Sequence, residues 1–367
     1  MERRMIYGWL GRALLFFLSG LLFLELVFRF VFPADQRPSS MRVDDGIMLF
    51  DTTTREGFTS IGRVPLQKFH WRINDQGWNS LQDYLGPEER DRPLVAVIGD
   101  SHVENLQSDV DESIASHLQT LLGDACLVYG FGKADQSLLQ DLLLMEYVDS
   151  LYSPDTWVIV LGGDVVRRSI MPDPSATYSY LVPADTGFTV APPAPREPSG
   201  IAGVFLQSAL IRYLTFNTRL ELFPLFSIPE DYRSLNADLP PERVDELMPE
   251  AADYILRKMS DNFGGRGVLM FLNFFVTRYR IYDAIELRLS GDLVEPEDYR
   301  LLLEMAPEYP GIQCTDSREA FQTAWEEGHR RFESPDGKHL NGYGNRILAE
   351  DIYDMLRSSG NLDGLLR

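Results

Sequence analysis

The chain has 367 residues, 44% of them hydrophobic, with 34 Lys and Arg against 55 Asp and Glu and a formal charge of −21. That length holds one large α/β domain with extensions or two smaller ones, and the apolar share is ample for a buried core. The acidic balance excludes nucleic acid and anionic lipid headgroups as principal partners, because a polyanion is repelled at long range.

Arg3, Arg4 and Arg12 precede an apolar run from Ala13 to Leu24, which continues to Phe32 with Glu25 and Arg29 as its only breaks. As a helix, Ala13 to Phe32 would cover about 30 Å, the thickness of a bilayer's hydrocarbon core. Positive charge ahead of the run places the N-terminus in the cytoplasm and the remainder outside. A cleaved signal peptide is the other reading, but Phe32-Pro33-Ala34 is a poor small-x-small cleavage site. An uncleaved anchor over residues 1–35 is therefore preferred. Glu25 and Arg29 lie one helical turn apart, spaced to pair near the outer interface. Residues 36–93 read as an extracytoplasmic extension, within which the alternation of Phe69–Trp78 predicts a short strand followed by a turn.

From 94 to 360 the pattern is α/β. Apolar runs predict strands at Leu94–Ile98, Ala125–Tyr129, Trp157–Leu161 and Gly267–Leu272, with a weaker one at Gly311–Cys314. Helical spacing marks Asp111–Leu122, Ser137–Leu151, Pro241–Phe263 and Tyr343–Leu356. The expected fold is a three-layer α/β/α sandwich on a mostly parallel five-stranded sheet, with an insertion around 165–264. Within that insertion, Met171–Gly200 is crowded with Pro and small polar residues and reads as a long loop. Ile201–Leu222 is apolar and aromatic at helical spacing, suited to packing on the core, with a lid or a membrane-facing surface as the lesser alternatives. Cys126 and Cys314 have no metal-ligand spacing and are expected to be two separate buried thiols. His70, His117 and His329 form no ligand pattern, and Gly130-Phe-Gly lacks the rest of a dinucleotide fingerprint, so neither metal nor cofactor is expected.

In an open parallel sheet, functional groups collect in loops at the carboxyl ends of the strands. Those loops carry Ser101, the stretch Gly130–Gln136, Gly162–Asp164, and Asp336 with His339. A serine hydroxyl needs an adjacent base to act as a nucleophile, histidine suits that role near neutral pH, and a carboxylate must hold the imidazole tautomer. Asp336 and His339, three positions apart on one loop, can be aimed together at a serine from the first strand. His102 reads as a partly buried residue hydrogen-bonded to a neighbour, with a substrate contact as the alternative.

Gly99-Asp-Ser101 and Asp336-Gly-Lys-His-Leu-Asn-Gly-Tyr-Gly-Asn345 resemble the first and last signature blocks of the SGNH/GDSL hydrolases. Arg72-Ile-Asn-Asp-Gln-Gly-Trp78 is similar to a segment preceding the first block in exported members. The likeness runs from about Leu94 to Leu356, with Val165–Gly264 unmatched. It implies Ser101 as nucleophile, His339 as general base and acid, and Asp336 as its orienting partner. It also implies an oxyanion hole built from the Ser101 N–H, a glycine after the second strand and an asparagine after the third. This sequence carries Asp135 and Asp164 at the latter two positions. A backbone N–H at 135 still donates. A carboxylate at 164 only accepts, and opposes an oxyanion unless protonated, turned away, or paired with Arg167, Arg168 or Lys133. The implied activity is an exported, inner-membrane-anchored esterase or O-acyltransferase on acylated carbohydrate or another ester, with the catalytic domain periplasmic and envelope proteins as possible partners. Two alternatives remain: a non-catalytic carbohydrate-binding or scaffold protein on the same fold, and a lipase or thioesterase at the membrane surface.

Overall fold

Apolar strands need cover on both faces, and four buried strands with a more polar fifth at one edge supply the frame of this protein. The computed structural model describes residues 2–42, 46–64, 67–171, 178–193, 197–198, 200–220, 226–227, 234–273, 282 and 297–359. The strands are β1 (Leu94–Gly99), β2 (Leu127–Gly132), β3 (Thr156–Leu161), β4 (Val268–Leu272) and β5 (Ile312–Asp316). They lie in the order β5-β4-β3-β1-β2 and every pairing is parallel. The chain winds one way from β1 to β2 and the other way from β3 onward, so the switch point falls between β1 and β3.

Alternate strand residues face opposite layers. Leu94, Ala96 and Ile98 pack with helices α4 (Leu138–Tyr152), α5 (Val165–Ile170), α8 (Pro241–Phe263) and α9 (Glu297–Met305). Val95 and Val97 pack with α3 (Ile114–Leu122), α10 (Arg318–Gly328) and α11 (Gly342–Ser358). The expected three-layer α/β/α fold on a parallel five-stranded sheet is what the chain forms.

Element ends move for identifiable reasons. β2 begins two residues later than its apolar run and continues through Gly130-Phe131-Gly132, because it pairs along the full length of β1, Leu94 with Leu127 and Gly99 with Gly132. A side chain at Gly132 would begin 2.1 Å from the Glu104 nitrogen, so only glycine permits that close approach. The helix expected from Asp111 starts at Ile114, after a short 3₁₀ turn, because the Ser113 side chain caps it by accepting from Ser116 N. The segment expected to be one helix over Ile201–Leu222 is broken into α6 (Gly200–Phe205), α7 (Ala209–Arg212) and a π-turn at Tyr213–Asn217, with Ser208 capping α7; residues 221–222 lie outside the described set. Where a loop was expected after Met171, Tyr180–Pro183 and Phe188–Ala191 form an antiparallel hairpin.

The chain divides into two compact units. One comprises Met1–Arg37, Phe58–Phe69 and Arg196–Ile228; the other, Pro38–Gly57, His70–Pro195 and Pro229–Arg367, contains the sheet. In the first, α1 (Glu2–Leu26) runs into a π-turn at Val27–Val31. Its stretch Tyr7–Val31 is long and apolar enough to cross a membrane. Glu25 and Arg29 pair there as their spacing predicts, at 2.5 Å. The cysteines are free: Cys126 is buried beside edge strand β2, while Cys314, on the opposite edge strand β5, is only partly covered. Two buried thiols is thus correct for one of them.

Candidate active site

The carboxyl end of β1 turns sharply into α2 (Ser101–Glu104). Asp100 caps this turn, its carboxylate accepting from His102 N at 3.0 Å. Ser101 takes the first helical position, where a backbone N–H has no acceptor within its own helix. The short helix ends at Asn105, held in the left-handed conformation at φ 53°. Its orphan carbonyls at Glu104 and Asn105 both accept from the Asn79 amide at 3.0 Å. Asn79 follows the turn Asn74–Trp78, where Asn74 Oδ1 accepts from Gln76 N and Trp78 N. The strand and turn expected at Phe69–Trp78 therefore exist, and Asn79, directly after them, braces the turn that carries Ser101.

The loop before α11 brings the remaining two groups. Gly337 sits at φ 69°, and the Asp336 carboxylate accepts from Lys338 N at 2.8 Å and His339 N at 3.1 Å. Its other oxygen bonds His339 Nδ1. His339 Nε2 lies 3.0 Å from Ser101 Oγ. Burial alone would push the Asp336 carboxyl up, but the hydrogen bond and charge of His339 and the two N–H groups hold it down at about 2. An ionised Asp336 fixes the proton on Nδ1 and leaves the Nε2 lone pair facing the serine. The structure thus brings Ser101, Asp336 and His339 together. Asn341 caps α11 by accepting from Gly344 N at 2.9 Å. Asn345, one turn further and buried, donates to Asn105 Oδ1, Ser108 Oγ and the Glu112 carbonyl. These ties lock the helix that follows the histidine loop to the serine-bearing turn.

Asp135 and Asp164 lie apart from that trio in character. Asp135 occupies the loop after β2 at φ 64°, a left-handed conformation that glycine adopts more readily. Asp164 follows β3 and is exposed; its side chain makes no capping bond to α5. That N-terminus is served instead by Asp298, which accepts from Val166 N at 2.6 Å and Arg167 N at 3.2 Å. None of the three cations considered for Asp164 pairs with its carboxylate. Lys133 forms a buried ion pair with Glu104 at 3.0 Å, Arg167 binds Asp245, and Arg168 Nη2 donates to the Gly162 carbonyl at 2.7 Å.

Three features were not legible as site components. Gly162 packs against the turn that carries Ser101: a side chain there would begin 2.8 Å from Asp100 Oδ2 and 3.5 Å from His102 Cδ2. The Arg168 guanidinium stands 3.8 Å from where a side chain on Gly163 would begin. The buried Tyr299 hydroxyl accepts from Gly163 N at 3.1 Å and lies 2.9 Å from the Asn273 carbonyl. The first and third are meetings across the fold, and Arg168, considered only as a partner for Asp164, turns instead to the Gly162 carbonyl. His102 is buried, its ring centroid 5.4 Å from that of His339, and burial lowers it to about 4 despite the neighbouring Asp100. Beneath the turn, burial raises Asp141 well above the ordinary carboxylate range.

Among solved structures the chain is similar to a carbohydrate acetylesterase family member from Sinorhizobium meliloti, at 11% identity and TM-score 0.34, over 72% of this chain and 98% of that one. A lipolytic G-D-S-L family protein from Veillonella parvula matches at 12% identity and TM-score 0.38, over 72% and 98%. An alpha/beta hydrolase from the metagenome of Lake Arreo matches at 14% identity and TM-score 0.37, over 76% and 99%. No family model and no curated protein matches the chain. What the chain can do is set by the side chains just described.

Proposed function

We propose that this protein is a serine esterase or O-acyltransferase of the SGNH/GDSL type, anchored in the inner membrane by α1, with its sheet domain on the periplasmic side and acylated envelope carbohydrate as substrate. The observation that carries the reading is His339 bridging Ser101 Oγ, at 3.0 Å, and the Asp336 carboxylate. In this mechanism His339 Nε2 takes the hydroxyl proton as Ser101 Oγ adds to the ester carbonyl. The tetrahedral oxyanion is held by the Ser101 N–H and the backbone N–H at Asp135, both on turns after strands. His339 then protonates the departing alkoxide, leaving an acyl-serine. Water or a sugar hydroxyl, deprotonated by the same nitrogen, releases acetate or passes the acyl group on. Asp336 stays ionised and stabilises the imidazolium.

Full-length protein in detergent, treated with a fluorophosphonate probe beside Ser101→Ala and His339→Ala, tests the nucleophile. Labelling of the wild type alone is expected. A well-folded wild type that takes no label would favour the second reading, a carbohydrate-binding protein, for which the exposed carboxylate of Asp164 at the end of β3 is the specific support. Release of acetate from acetylated glycan, with and without an unacetylated acceptor, separates hydrolysis from transfer.

A further inference from the structure

A carboxylate inside an apolar span is costly and persists where it has partners. Glu25 lies within the apolar stretch Tyr7–Val31, and its partners are now identified. Besides Arg29, its carboxylate accepts from Ser208 Oγ at 2.7 Å and from Ala209 N and Leu210 N at 3.0 Å each. Glu25 thus satisfies the first two N–H groups of α7, while Ser208 Oγ accepts from the third, Ile211 N. Arg29 Nη2 also donates to the Gln207 carbonyl at 3.2 Å, and the Phe28 and Tyr213 rings stack with centroids 3.8 Å apart. Residues 207–213 are therefore fastened to the last turns of the span.

The height of that fastening matters. Glu25 precedes Val31 by about 9 Å of helical rise, so α7 begins beside the apolar span and not beyond its end. α6 leads into the same place through a tight turn, with Gln207 N bonded to the Val204 carbonyl and Ser208 N to the Phe205 carbonyl. Val204 is 67% exposed and Phe205 45%, three to four residues before Ser208, and Leu22 and Phe23, two to three residues before Glu25, are 60% and 65% exposed. Exposed apolar side chains thus precede the Glu25–Ser208 fastening on both segments.

We propose that α6 and the start of α7 are set into the bilayer, in the interfacial zone of the leaflet that holds the C-terminal end of α1, with Glu25 as the clamp that fixes their depth. The occupant of this surface is lipid: the acyl-chain and glycerol region of a phospholipid. The inference rests on α1 being a membrane anchor, and the test separates the two claims.

Single cysteines at Phe16, Val204 and Leu235, in a Cys126→Ala, Cys314→Ser background, are labelled with an environment-sensitive fluorophore. The full-length protein is reconstituted into phosphatidylcholine vesicles carrying nitroxide lipids, shallow or deep. The Phe16 probe is expected to be quenched by deep nitroxides, the Val204 probe to lose more than about half its emission to shallow ones, and the Leu235 probe to remain unquenched. A quenched Phe16 probe with Val204 no more affected than Leu235 overturns the inference and leaves the anchor standing. An unquenched Phe16 probe removes both. Shielding of Val204 from nitroxide lipid and from aqueous iodide alike means that protein covers it, which also overturns the inference. Glu25→Ala, with Phe16 still quenched, is expected to return the Val204 probe to iodide; an unchanged depth would refute the clamp.

Discussion

At the scale of single residues, the serine, histidine and carboxylate were legible because two of them share one short loop and the third ends an unmistakable buried strand. Asp336→Asn keeps the shape but lets the imidazole take the wrong tautomer, so kcat for ester hydrolysis is expected to fall about 10⁴-fold with little change in KM. Arg168 places a cation beside Gly163, at the strand end where Asp164 offers only a negative charge. Arg168→Met is expected to lower kcat about tenfold to a hundredfold at nearly constant KM in a steady-state assay; an unchanged kcat would remove the guanidinium from the reaction. His102 makes a prediction about stability. Its folded value of about 4 lies below its ordinary 6.5, so between those pH values the unfolded chain binds the extra proton and stability rises with pH. Chemical denaturation at pH 4 and at pH 6.5 is expected to show a loss on acidification of which His102 supplies up to about 3 kcal/mol. His102→Gln should flatten that limb; an unaltered slope would assign it to other groups.

At the scale of elements, apolar runs found every strand of the sheet, while ends and breaks depended on partners remote in sequence. Ser113 starts a helix three residues after its periodicity does, and a glutamate from another helix makes the break at Ser208 tenable. The braces on the nucleophile turn were equally invisible, since Asn79 and Asn345 look like ordinary polar residues until the fold brings them to α2 and Asn105. Asn345→Ala removes a donor from two buried acceptors and a half-buried one. It is expected to cost about 2–3 kcal/mol in urea denaturation and, by loosening the register between α11 and α2, to reduce kcat more than KM. Asn345→Asp, which keeps the shape and loses the donor, should be nearly as damaging.

At the scale of the whole molecule, strand order decides what meets what. The order β5-β4-β3-β1-β2 sets Cys126 and Cys314 at opposite edges of the sheet, so reductant is expected to leave the melting temperature unaltered in an oxidised sample; a reductant-dependent shift would contradict this arrangement. The overall architecture was readable from the alternation of strands and helices, whereas the unit built from residues near 1–37, 58–69 and 196–228 was not, because its three segments share no repeating pattern. The same distance along the chain has a consequence in time. Ser101 and His339 are 238 positions apart, and the histidine loop leads into the last helix described. A growing chain carries Ser101 long before His339 exists to meet it. Under the proposed function, attack on an ester therefore waits until the loop before α11 has docked against α2.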